Sequence, residues 1–109
     1  MAVVMVVEDD PEVRNLLESI VAKAGHEVLA AADAGHAWAL LDKNPEAFFV
    51  DIDMPGETGV ELVLRLREHP TLADVPVVFV TAYRDRARPL VSSGAGIVDI
   101  IDKPFRVEQ

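Results

Sequence analysis

Six side chains with the chemistry to handle a cation and a phosphoryl group follow directly on short apolar runs of this 109-residue chain. Val3-Val4-Met5-Val6-Val7 is followed by Glu8-Asp9-Asp10, and Phe48-Phe49-Val50 by Asp51-Ile52-Asp53-Met54-Pro55. Val77-Val78-Phe79-Val80 leads to Thr81, and Ile97-Val98-Asp99-Ile100-Ile101 to Asp102-Lys103-Pro104. In an open parallel sheet the C-terminal strand ends share one edge, so four segments far apart in sequence would deliver these groups to one crevice. Two carboxylates about 4 Å apart repel by about 4 kcal/mol at an effective dielectric of roughly 20, so converging Glu8, Asp9, Asp51 and Asp53 must take up protons or hold a cation. Oxygen ligands without His or Cys select a hard ion. Mg²⁺ keeps several waters and uses one or two carboxylates plus a phosphate, which points to phosphoryl chemistry. One carboxylate would attack phosphorus while Lys103 and the Thr81 hydroxyl hold its equatorial oxygens.

The elements that must position these groups are legible in the pattern. Val13, Leu16, Leu17, Ile20, Val21 and Ala24 recur at helical spacing, with Asp10 as cap, Pro11 in the first turn and Gly25 as stop. A second helix is expected from Ala34, with Ala37, Trp38 and Leu41 on one face and Asn44-Pro45 ending it. A third has Thr58 and Glu61 in capping-box spacing, Leu62, Val63 and Leu66 as its buried stripe, and an end before His69-Pro70. Five apolar runs lie around these helices, the second at residues 26–31. Those near residues 3, 48, 77 and 97 are almost continuously apolar, as expected when helices cover both faces of a parallel sheet. The reading is one doubly wound α/β domain over residues 1–109, with no repeat, linker or low-complexity segment.

Composition narrows the function. Half of the residues are apolar, which excludes disorder. A net charge of -9 argues against direct nucleic acid binding and against an anionic membrane surface, since both reward clustered Lys and Arg. No apolar run approaches the roughly 18 residues of a membrane span, and the N-terminal run lacks a signal-peptide pattern. The absence of cysteine removes disulfides, thiolate metal sites and cysteine catalysis, and is compatible with a cytoplasmic location.

The motifs Val-Val-Glu-Asp-Asp-Pro, Val-Asp-Ile-Asp-Met-Pro-Gly, Val-Thr-Ala and Asp-Lys-Pro-Phe, in this order, resemble the receiver domains of bacterial two-component response regulators. The likeness runs from Val3 to Phe105, with Asp51 and Thr81 separated by 30 positions and Thr81 and Lys103 by 22. It implies a five-stranded parallel sheet of flavodoxin-like order 2-1-3-4-5. It further implies that Asp51 accepts a phosphoryl group from the phosphohistidine of a histidine kinase or histidine phosphotransfer domain. Asp9, Asp51 and the backbone carbonyl of Asp53 would bind Mg²⁺ directly, and Glu8 through water. Thr81 would move toward the phosphoryl group and Lys103 would pair with it. Asp53 and Tyr83 would flank the path of hydrolytic water and tune the lifetime of the aspartyl phosphate. Such a protein catalyses only its own phosphorylation and dephosphorylation and signals by a change of conformation or association.

Three departures from the family pattern bear on how a signal would leave the domain. Ile100 stands where the family carries an aromatic residue three positions before the lysine, so rotation of an aromatic ring is not available there. Pro89 falls inside the expected fourth helix, which should therefore be short, late or bent. Only residues 105–109 follow Pro104, so the final helix is expected to be missing or truncated. Its loss would expose several apolar side chains worth about 1.5–3 kcal/mol each, so the expectation is either a fragment of a longer protein or another surface over the gap, as in a homodimer or swapped arrangement.

Rival readings fit less well. A haloacid dehalogenase phosphatase orders Asp-x-Asp, Thr and Lys as Asp51, Asp53, Thr81 and Lys103 do, but its second acidic pair follows the lysine, whereas Glu8-Asp9 precedes everything. An EF-hand loop starting at Asp51 fails at Pro55 and at Leu62, where its closing Glu belongs. A phosphorylation-independent interaction domain is the third rival. Among the remaining residues, Asp33 and Asp102 read as solvated loop acids, Trp38 as core, and His26, His36 and His69 as surface residues without ligand spacing. Gly94-Ala95-Gly96 reads as a turn before the last strand.

Overall fold

The computed structural model describes residues 1–82 and 97–102. Five strands, β1 (Val3–Val7), β2 (Glu27–Ala31), β3 (Ala47–Asp51), β4 (Val77–Thr81) and β5 (Ile97–Asp102), alternate with helices α1 (Pro11–Lys23), α2 (Ala34–Ala39) and α3 (Gly59–Arg67). All strand pairs are parallel, and the sheet order is β2-β1-β3-β4-β5. This is the doubly wound architecture expected from the sequence, in the strand order that the resemblance implied. The expected fourth helix with Pro89, the Gly94-Ala95-Gly96 turn and the final helix lie outside the described residues.

Alternation along the central strands sends side chains to two cores. Met5, Val7, Phe48, Val50, Val77 and Phe79 join Leu62, Val63 and Leu66 of α3 in the larger one, and Val6 and Val80 join Leu17 of α1 in the smaller one. Burial on both faces explains why β1, β3 and β4 read as apolar runs. The edge strand β2 is only partly buried until Ala31.

Local chemistry sets the helix ends. The Asp10 side chain accepts from the Glu12 N–H at 2.9 Å, and Pro11 occupies the first turn of α1. Gly25 follows with φ +94°, a left-handed stop that favours glycine. Thr58 and Glu61 form the anticipated reciprocal capping box at the start of α3. At the other end of α3 the Arg67 guanidinium donates to the Leu72 carbonyl at 3.1 Å. Burial lowers the pKa of Arg67 from its ordinary value, and Asp74 opposes that shift.

Five expectations need correction. Asp33 is the N-cap of α2, accepting from the His36 N–H at 2.7 Å, rather than a purely solvated acid. Ile20 is 45 % exposed, so the buried stripe of α1 is narrower than its apolar pattern. The second helix ends at Ala39, and Leu41 belongs to a 3₁₀ turn at Leu41–Lys43 closed by Asn44 in the left-handed region. Trp38 is half-buried rather than core: the Arg65 guanidinium lies 4.0 Å above its ring, and His69 meets it edge-on at 6.2 Å. His26 and His69 are likewise half-buried, and each accepts a backbone N–H through Nδ1, from Ala2 and Thr71.

Candidate functional site

The register of the sheet brings the ends of its strands to one edge. Val7 pairs with both Ala31 and Val50, Asp51 with Val80, and Thr81 with Asp102. Glu8, Asp51 and Thr81 therefore stand at the C-terminal ends of three adjacent strands. All three are buried, at 0 %, 2 % and 0 % exposure, although none is apolar. Burying a carboxylate is costly unless polar partners or a cation compensate, so two such groups at one sheet edge mark a site.

Glu8 and Asp10 shape the first loop. The Glu8 N–H donates to the Ala31 carbonyl at 3.0 Å, continuing the β1 to β2 pairing one residue past the strand. Its Oε2 accepts from the Asp10 N–H at 3.1 Å, and its carbonyl accepts from Arg14 Nη1 at 3.0 Å. Asp9, between them, is exposed. Glu8, Asp9 and Asp51 each offer one carboxylate oxygen, and these three atoms lie within 4.8 Å of one another.

The second loop is shaped by Asp51 itself. Its Oδ1 accepts from the Asp53 N–H at 3.1 Å, a short turn that brings the main chain of Asp53 back toward the acidic group. The Ile52 carbonyl then accepts from the Gly59 N–H at 2.9 Å, which fastens the start of α3 to the end of β3. A Cβ at Gly59 would stand 2.2 Å from the Asp51 carbonyl oxygen, so the approach requires glycine. Gly59 and Arg14 are the two residues of this neighbourhood that the pattern of the sequence did not single out.

Of the expected site residues, Glu8, Asp9 and Asp51 are brought together, with Asp53 in the same turn and Thr81 on the neighbouring strand end. Lys103, one residue beyond Asp102, and Tyr83 lie outside the described residues. Ile100 is half-buried against the larger core. No helix among the described residues is long and apolar enough to cross a membrane.

An oxygen-only donor set, two members buried and one exposed, suits a hard divalent cation such as Mg²⁺ better than a transition metal. The edge thus offers a candidate metal site beside a buried aspartate and a buried hydroxyl.

Known proteins are similar to this chain in sequence and fold. The profile of the response regulator receiver domain matches residues 4–109. A transcriptional regulatory protein of Bacillus subtilis, YrkP, is 35 % identical over 97 % of this chain, which spans 45 % of that protein's length. A chemotaxis protein CheY homologue of Campylobacter jejuni is 32 % identical, with 93 % of this chain and 80 % of that protein covered. Among solved structures, CheY4 of Vibrio cholerae superposes with a TM-score of 0.86 at 28 % identity, covering 97 % of this chain and 89 % of that one. The response regulator TrrA of Thermotoga maritima, solved in complex with Mg²⁺ and BeF, gives 0.81 at 29 % identity, covering 97 % and 90 %. With sheet order, acidic edge and profile in agreement, the chain belongs to the response regulator receiver domains of two-component systems.

Proposed function

We propose that residues 1–109 act as one receiver domain in which Asp51 accepts a phosphoryl group from the phosphohistidine of a histidine kinase or histidine phosphotransfer domain. The observation that carries this reading is the meeting of Glu8, Asp9 and Asp51 within 4.8 Å at the end of the sheet, with Asp51 buried. An oxygen of the Asp51 carboxylate forms the bond to phosphorus as the bond from phosphorus to the donor imidazole breaks. Asp9, Asp51 and the carbonyl of Asp53 would hold Mg²⁺ directly, and Glu8 would act through water. The ion, when bound, supplies positive charge against the phosphoryl oxygens. The likeness to a regulator solved with Mg²⁺ and BeF supports the choice of ion.

The Thr81 hydroxyl and the Lys103 ammonium donate to the phosphoryl oxygens. Asp53 and Tyr83 govern access of hydrolytic water. Activity is confined to the protein's own phosphorylation and dephosphorylation, in a cytoplasmic setting. The output is a change of conformation or association, homodimerisation included, and Ile100 gives no rotating aromatic ring to it.

Intact-mass measurement after incubation with acetyl phosphate and Mg²⁺ tests the reading. One added phosphoryl group on the parent and none on Asp51→Asn supports it. Equal addition to both proteins, or none to the parent, overturns it.

A further inference from the structure

We propose that Arg14 is a positioning residue for the acidic loop, holding the Glu8–Asp9 peptide so that exposed Asp9 is presented to the same point as buried Glu8 and Asp51. The inference rests on the divalent-ion reading of that site and adds to it the residue that sets its geometry.

Glu8, Asp9 and Asp10 form three consecutive acids between β1 and α1. Hydrogen bonds to the Ala31 carbonyl, from the Asp10 N–H and from the Glu12 N–H fasten the loop at Glu8 and Asp10. The peptide between Glu8 and Asp9 is held from the helix side. Arg14 Nη1 donates to the Glu8 carbonyl at 3.0 Å. The Arg14 main chain is held by its N–H bond to the Asp10 carbonyl at 2.9 Å in the first turn of α1, and the residue is half-buried. A peptide unit is planar, so anchoring the Glu8 oxygen places the Asp9 N and Cα and leaves Asp9 φ as the one backbone rotation that aims its side chain.

Two consequences of this placement oppose each other in metal binding. The positive charge repels an incoming cation, whereas the hydrogen bond holds the ligand geometry that the cation needs. Mg²⁺ demands near-ideal octahedral geometry, and solvent screens the charge of a half-buried guanidinium, so the positioning effect prevails.

The test is a Mg²⁺ titration of the whole chain, followed by backbone amide shifts in NMR, for the parent, Arg14→Ala, Arg14→Gln and Arg14→Lys. The expected result is a dissociation constant weakened about tenfold in Arg14→Ala, the size seen when groups that orient metal ligands are removed. Arg14→Lys, which keeps one donor and the charge, should recover most of that loss. Binding by Arg14→Ala as tight as or tighter than the parent's overturns the proposal, because it shows that the hydrogen bond to the Glu8 carbonyl does not limit ion affinity. If Arg14→Ala fails to fold, Arg14→Gln carries the test, with weakened affinity in support and unchanged or tighter affinity against. A parent that binds no Mg²⁺ overturns the divalent-ion reading and this inference together, whereas a binding parent with an indifferent Arg14→Ala overturns this inference alone.

Discussion

Gly59 lies so close to Asp51 that a single added carbon would collide with its main chain: a Cβ there would meet the Asp51 carbonyl oxygen at 2.2 Å and the Ile52 Cα at 2.9 Å. The first residue of α3 thus presses on the backbone of the proposed phosphoacceptor, and the Gly59 N–H bond to the Ile52 carbonyl holds it there. Gly59→Ala should force the two elements apart at a cost of about 1–3 kcal/mol. Gly35 in α2 is the contrast, because a Cβ at that position meets only Asp33 Oδ1 at an ordinary 3.5 Å. Gly35→Ala is expected to be neutral or to stabilise by about 0.4–1 kcal/mol. Thermal melts of both variants check the pair, and equal midpoints would remove the role given to Gly59.

The acidic group should make the metal-free protein pay for its function in stability. Removing one charge with Asp9→Asn relieves repulsion from Glu8 and Asp51, and a rise of about 1 kcal/mol in metal-free stability is expected. Ion binding to the folded state alone should raise the parent's melting temperature as Mg²⁺ is added. The same addition should do much less for Asp9→Asn. Denaturant melts with and without Mg²⁺ measure both effects. A variant less stable than the parent without the ion, yet equally responsive to it, would contradict the placement of Asp9.

Trp38, Arg65 and Glu57 link α2, α3 and the loop that follows Asp51. Arg65 pairs with Glu57 and stacks over Trp38. An exposed cation–π contact contributes about 0.5–1 kcal/mol. A double-mutant cycle of Arg65→Ala and Trp38→Leu should return a coupling of that size, and a value near zero would dismiss the contact.

The lifetime of the aspartyl phosphate should depend on Tyr83. On the proposal that its phenol obstructs the path of hydrolytic water, Tyr83→Ala is expected to lose its phosphoryl group faster than the parent. Time-resolved intact mass after removal of the donor measures this. Identical decay would free Tyr83 of the role.

Much of this architecture was legible in the residues because it rests on short-range signals. Continuous apolar runs mark strands covered on both faces, as β1, β3 and β4 are. Asp10-Pro11 and Thr58 with Glu61 mark helix starts through bonds within one turn. Convergence of Glu8, Asp9 and Asp51 followed from strand order, since the carboxylates trail their strands by none to two residues. What escaped depends mostly on contacts that no single-turn or alternation pattern encodes. Gly59 is required by the Asp51 backbone, eight residues earlier, which no spacing rule encodes. Arg14 looks like an ordinary helix surface residue until the Glu8 carbonyl is placed above it. Trp38 fits an apolar stripe, but α2 closes after six residues and leaves the ring half outside, where Arg65 covers it. Asp33 resembles a loop acid because a helix so short gives little periodicity to announce its cap.

The location of the acyl phosphate is the most direct test of the whole account. Borohydride reduces an aspartyl phosphate to homoserine, so peptide mass spectrometry of the reduced, phosphorylated protein reads the position of the modified residue. Homoserine at position 51, formed only when donor and Mg²⁺ are both supplied, is the predicted result. Homoserine at Asp9 or Asp53 instead, or phosphoryl uptake that leaves Asp51 unreduced, would contradict it.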